Sequence, residues 1–146
     1  MRVMKPDDAS VIKMRQAAET AMENAYCGYS EFPVGAAVLT ADGQIFPGCN
    51  VENASYGLTS CAERNAIFQA VAAGAIGKGR KLKAVVIVTP AKKLTPPCGA
   101  CRQVIHEFCE EADADIFIFG KGGKVASFKL STLLPEAFGP TDLEEK

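Results

Sequence analysis

Residues 82–105 read LKAVVIVTPAKKLTPPCGACRQVI, and the parsing of this stretch decides the fold. The near-continuous apolar run from Leu82 to Thr89 is the mark of a strand buried on both faces. Pro90 to Pro97 reads as a loop, and Pro97 stands where a helix should begin, because the first turn tolerates proline. That helix is expected from about Cys98 to Glu111. Strand, loop and helix in this order predict a crossover in an α/β sheet.

Working outward, the spacing of Val11, Met14, Ala18, Ala21, Met22 and Ala25 predicts a helix over 7–25, capped by Asp7 or Asp8. Phe32 to Thr40 and Gln44 to Val51 read as strands joined by the hairpin turn Ala41-Asp42-Gly43. A loop over 52–60 leads to a helix at Cys61 to Ala73, with Thr59 or Ser60 as its N-cap. Asp115 to Phe119 and Lys124 to Phe128 are further strands, followed by a short helix near Ser131 to Leu134. The order α-β-β-α-β-α-β-β-α predicts an α/β fold of three layers, α/β/α, around a five-stranded mixed sheet. The hairpins should be antiparallel, and the two strand–helix–strand crossovers should each give parallel neighbours.

The 146 residues fit a single domain over 1–146, with 140–146 expected to be a mobile tail. Hydrophobic residues make up 48% of the chain, enough for a real core. No apolar run approaches the ~20 residues needed to span a bilayer, and the N-terminus lacks the apolar segment of a secretory signal. The expectation is a cytoplasmic protein with no membrane partner. A formal net charge of −1, without a densely basic stretch, argues against a nucleic-acid partner. Six cysteines in such a chain are expected to be reduced thiols.

Two short motifs carry the chemistry: Cys61-Ala62-Glu63 and Pro97-Cys98-Gly99-Ala100-Cys101. Each lies at the predicted start of a helix that follows a strand and a loop. Cys98 and Cys101 project to one side of a first turn and can share an ion. Helix N-termini favour the thiolate form that zinc binding requires. Cys61 would be a third ligand, leaving one position for water, as in catalytic zinc sites. Glu63 is placed to move protons between that water and a substrate nitrogen. Three thiolates on one zinc carry a formal charge of −1, which Arg64 would offset by donating to a cysteine sulfur, unless it is simply an exposed helix arginine. Other uses stay open: Cys98 and Cys101 as a redox pair, or the motifs as part of a structural zinc module. Cys27, Cys49 and Cys109 read as small core residues. His106 lies about 140° around the helix from Cys101, at ~100° per residue, and reads as a satisfied or surface histidine.

The Cys-x-Glu…Pro-Cys-x-x-Cys pattern resembles the zinc deaminase signature in its three-cysteine form. Together with FPVGAAV at 32–38, GCNVENASYG at 48–57, SCAERNAIFQAV at 60–71 and PPCGACRQVI at 96–105, the chain resembles the small cytidine deaminases of nucleoside salvage over roughly residues 10–138. That resemblance implies one zinc per subunit on Cys61, Cys98 and Cys101, with Glu63 as proton shuttle. It implies that Asn50 and Glu52 hold the ribose hydroxyls and that Phe32 packs on the base. The Ala62 N–H, and the Ser60 or Cys98 backbone, would contact the base. It further implies a homotetramer in which Tyr56 and Phe138 serve neighbouring subunits' sites. The expected reaction is hydrolysis of cytidine and deoxycytidine to uridine and deoxyuridine plus ammonia. A related branch that acts on the modified nucleoside blasticidin S is the alternative.

Overall fold

The structure is a computed structural model that describes residues 3–109 and 113–144. Its elements are α1 (Ala9–Met22), β1 (Gly35–Thr40), β2 (Ile45–Cys49), α2 (Ala62–Ala72), β3 (Leu82–Val88), α3 (Gly99–Cys109), β4 (Asp115–Phe119), β5 (Val125–Lys129) and α4 (Leu130–Leu133). Five strands form one sheet in the order β2-β1-β3-β4-β5. β1 pairs antiparallel with both β2 and β3, β3 pairs parallel with β4, and β4 pairs antiparallel with β5. The three-layer α/β/α arrangement with a five-stranded mixed sheet is as expected.

The crossover through α3 does give parallel neighbours. The crossover through α2 does not: β1 lies between β2 and β3. Pro47 explains why β2 takes the edge, since a proline cannot donate to a second neighbour and is tolerated on edge strands. β3 instead pairs with the free side of β1, whose six residues are all buried.

The period of two in the strands sorts side chains to the two faces. On one face Ala37, Leu39, Ala84, Val86, Val88, Phe117 and Phe119 pack against Val11, Met14 and Ala18 of α1. On the other, Val38, Val85, Ile87, Ile116 and Ile118 pack against Ala66, Ile67 and Ala70 of α2 and Ile105 and Cys109 of α3. Two glycines set how closely the helices lie. A Cβ on Gly35 would fall 2.0 Å from the Ala18 carbonyl oxygen of α1. A Cβ on Gly48 would fall 2.5 Å from the Ala66 nitrogen and 2.7 Å from the Ala62 oxygen of α2. The missing side chain at Gly48 therefore lets the first turn of α2 rest directly on the end of β2.

Local ends differ from expectation in instructive ways. Asp8 stands at the α1 N-cap position with its carboxylate accepting from the Lys5 N–H. The N-cap of α2 is Cys61, not Thr59 or Ser60. The Ser60 hydroxyl is turned onto Asn65, and the Ser60 backbone is bridged to Val51, which leaves the next residue to open the helix. The last residues expected in α3, Glu110 and Glu111, lie outside the described residues. At the C-terminal end Pro140–Leu143 forms a 3-10 turn in which the Asp142 carboxylate accepts from the Gly139 N–H; residues 145 and 146 lie outside the described ones.

Candidate metal centre and substrate cleft

The scaffold of the site is a ribbon of three chain segments beyond the ends of the strands. Tyr26, in the connection after α1, bridges Val51 in parallel, and Val51 bridges Ser60 in antiparallel. The segment that enters β1, the segment that leaves β2 and the entry to α2 thus run side by side. They bring Ser30, Asn50 and Glu52 into one wall, beside Cys61.

The cysteine cluster sits where two helices begin. The Cys61 carbonyl accepts from the Asn65 N–H and the Cys98 carbonyl accepts from the Arg102 N–H, so each residue closes the first turn of its helix. Both helix N-termini therefore meet at the thiols, and their partial positive charge favours thiolate. The same device secures each entry. Asn65, four residues past Cys61, donates to the Ser60 and Cys49 carbonyls at 3.4 and 2.7 Å. Arg102, four residues past Cys98, donates through Nε to the Pro97 carbonyl at 2.8 Å, and through Nη1 to Leu133 at the end of α4. Neither residue belongs to the motifs read from the sequence. Their signal was a polar side chain one turn after a helix-opening cysteine.

The sulfurs of Cys61, Cys98 and Cys101 lie within 4.8 Å of one another, and those of Cys61 and Cys98 are 3.9 Å apart. Tetrahedral zinc with Zn–S bonds of about 2.3 Å spans about 3.8 Å between sulfurs, so the donor set fits zinc in both chemistry and spacing. Arg64 Nη2 donates to Cys61 Sγ at 3.3 Å, and its Nε is buried without a protein partner. A half-buried guanidinium with a buried Nε is best tolerated against compensating negative charge. Three thiolates holding a divalent cation would supply that charge, and the sum with Arg64 would be zero.

The thiols share their protons unequally. The hydrogen bond from Cys101, with further help from Arg64, pulls Cys61 down to about 5, whereas Cys101 is raised by that same bond and by burial. Glu63, in the first turn of α2, is buried, and burial pushes its carboxyl above the ordinary range.

A cleft of about 290 Å³ opens onto this centre. Cys61, Ala62, Glu63 and Cys98 form its floor, and Phe32, Asn50 and Glu52 form part of its wall. The Asn50 side chain donates to the Phe32 carbonyl and accepts from the Val34 N–H, both at 2.9 Å, which fixes the turn through Pro33. That leaves the amide one N–H and one lone pair. Glu52 accepts from the Tyr29 and Ser30 N–H groups at 3.1 and 3.0 Å and from the Ser30 hydroxyl. Ser30, Thr59, Thr95 and Pro96 also line the cleft and were not singled out from the sequence.

Tyr56 and Phe138 stand outside this cleft, 75% and 59% exposed. Tyr56 packs edge-on against Tyr29, with ring centroids 5.9 Å apart, beside a neighbouring hollow that also touches Glu52. Phe138 is tied to α3 through its carbonyl, which accepts from Gln103 Nε2 at 2.8 Å. Among the described residues, which include all six cysteines, no disulfide forms. Cys109 is a core residue as expected, but Cys27 and Cys49 are only half-buried, because they flank the ribbon of loops rather than the sheet interior.

The cytidine and deoxycytidylate deaminase zinc-binding region matches residues 9–114, a span that holds both cysteine motifs. The chain belongs to this deaminase family. It is 44% identical over 133 residues to the cytidine deaminase of Sporosarcina psychrophila, covering 91% of this chain and 94% of that one. It is 46% identical over 125 residues to the cytidine deaminase of Halalkalibacterium halodurans, covering 86% and 91%. The crystal structure of cytidine deaminase from Burkholderia pseudomallei superposes with a TM-score of 0.79 at 44% identity, over 87% of this chain and 98% of that one. The protein is thus an enzyme of the deaminase family with zinc as its metal. No helix among the described residues is long and apolar enough to cross a membrane.

Proposed function

We propose that this deaminase hydrolyses cytidine and deoxycytidine to uridine and deoxyuridine with release of ammonia, in pyrimidine salvage. The observation that carries the reading is one cleft with a buried carboxylate, Glu63, beside the thiol cluster at its floor and Asn50 and Glu52 on its wall. One end of the cleft suits chemistry on a base, and the other suits hydroxyl groups of a sugar.

Cys61, Cys98 and Cys101 hold the metal, one zinc per subunit. A zinc held there would supply the Lewis acidity that makes water acidic enough to react near neutral pH. Glu63 takes the proton of the attacking water and delivers it to N3 of the cytosine ring. As the water oxygen bonds to C4, Glu63 takes its second proton and delivers it to the amine, the C4–N bond breaks, and water and cytidine become uridine and ammonia. A carboxyl whose burial raises its proton affinity suits this shuttle. Arg64 offsets the thiolate charge and so preserves the acidity of the centre. Phe32 packs on the base, the Ala62 N–H marks its edge, and Asn50 and Glu52 receive the sugar.

Tyr56 and Phe138 complete the sites of neighbouring subunits in a homotetramer. Both rings are well exposed, and Tyr56 stands beside a hollow shared with Glu52, which supports that role. The enzyme acts in the cytoplasm on free nucleosides, without nucleic-acid or membrane partners. A spectrophotometric panel of cytidine, deoxycytidine, cytosine and blasticidin S, run alongside metal analysis, tests the reading. Turnover of the first two with about one zinc per subunit is the expected result. Turnover of blasticidin S alone would assign the modified-nucleoside branch, and stoichiometric zinc without any turnover would leave a structural module.

A further inference from the structure

Ser30 occupies a position that the mechanism above does not use. Its hydroxyl donates to Glu52 Oε2 and accepts from the Phe32 N–H at 3.1 Å. One hydroxyl thereby joins the carboxylate on the cleft wall to the backbone of the aromatic beside it. The chain bends sharply to allow this. Glu31 adopts a left-handed conformation with φ 57°, which non-glycine residues seldom take, and the bend turns the Phe32 N–H back toward Ser30. The Glu31 N–H closes the same turn on the Cys27 carbonyl at 2.7 Å.

A carboxylate offers about four acceptor positions. The Tyr29 and Ser30 amides take two on Oε1, and the Ser30 hydroxyl takes one on Oε2. One position remains, on the oxygen whose direction Ser30 fixes. The two amide donors can hold Oε1 without Ser30 Oγ, but the carboxylate could then swing about that oxygen. Asn50 already fixes the far side of the Phe32 turn, so Ser30 is the remaining tie between ring and carboxylate.

We propose that Ser30 is a positioning residue for sugar recognition: its hydroxyl aims the last acceptor position of Glu52 at a sugar hydroxyl and holds Phe32 in register with it. The inference rests on the nucleoside-deaminase reading and deepens it. It predicts a penalty that depends on the sugar rather than on the base or the metal.

The test compares kcat/KM for deoxycytidine and 2′,3′-dideoxycytidine in the zinc-loaded enzyme and its variants. In Ser30→Ala the ratio of the two should fall about tenfold, as expected for losing one hydrogen bond to a charged group. The fall should come through KM for deoxycytidine, with kcat and zinc content little changed, and Ser30→Thr, which keeps the hydroxyl, should restore the ratio. Should Ser30→Ala not accumulate as folded zinc enzyme, Ser30→Cys, a similar shape with a weak donor, should lower the ratio in the same direction. An unchanged ratio, or equal losses on both substrates, overturns the role of Ser30 while leaving the deaminase reading intact. A zinc-loaded wild type that turns over no cytosine nucleoside removes both.

Discussion

Glu63 is buried two residues after Cys61, one of the three clustered thiols that could hold the metal, and its proton affinity is raised by that burial. If it is the proton shuttle, Glu63→Gln should keep zinc and fold but lose activity by about 10²- to 10⁴-fold or more, the usual worth of a positioned acid–base group; metal analysis beside steady-state turnover checks this. Glu52 behaves in the opposite sense. Hydrogen bonds from Ser30 and Tyr29 hold its carboxyl below its ordinary value of 4.5. A depressed pKa means that the stability Glu52 contributes is complete above its unfolded value and is lost as pH falls through the folded one. Urea unfolding from about pH 6 to about pH 3 should therefore show the wild type losing its advantage over Glu52→Gln toward the acid end. The motif residues were legible because thiol spacing and an adjacent carboxylate carry their own chemistry. Asn65, Arg102 and Ser30 were not, because their partners come from distant parts of the folded chain: the Cys49 carbonyl for Asn65, the Leu133 carbonyl for Arg102 and the Glu52 carboxylate for Ser30.

Among the elements, the hairpin announced itself through Ala41-Asp42-Gly43, where Gly43 has φ 91° and donates to the Thr40 carbonyl. The buried strand LKAVVIV and the helix after Pro97 were equally plain. What periodicity did not give was the order of strands, because apolar alternation fixes a strand's faces and not its neighbours. Pro47 held the missing information, since a strand that carries it belongs at an edge. The N-cap of α2 was misplaced by one or two residues because Ser60, a good capping type, is engaged by Asn65 and Val51. The seat of that helix on β2 leads to a prediction of its own. Gly48→Ala places a methyl against backbone atoms of Ala62 and Ala66 that cannot rotate away. It should cost about 1–3 kcal/mol in urea unfolding and weaken zinc retention, because the displaced turn carries Cys61 and Glu63.

At the scale of the whole molecule, the sheet serves to aim two helix starts at one point. β2 and β3 run in the same direction on either side of β1, and α2 and α3 follow them on the same face of the sheet. Cys61 and Cys98, each opening its helix, then face one another at 3.9 Å, with Cys101 one turn along. The three-layer fold could be anticipated from the order of elements. The cleft could not be read from that order, and only the family resemblance pointed to Phe32, Asn50, Glu52 and Ala62, because its lining comes from segments far apart in the chain: residues 30–34, 50–63, Ile87 and 95–98. Everything proposed for this enzyme depends on the metal at that junction. The most direct test is cytidine turnover by the zinc-loaded chain, followed through chelation and zinc return. Turnover that vanishes when zinc is stripped and recovers when it is restored is the predicted result; turnover that persists in the zinc-free protein would contradict it.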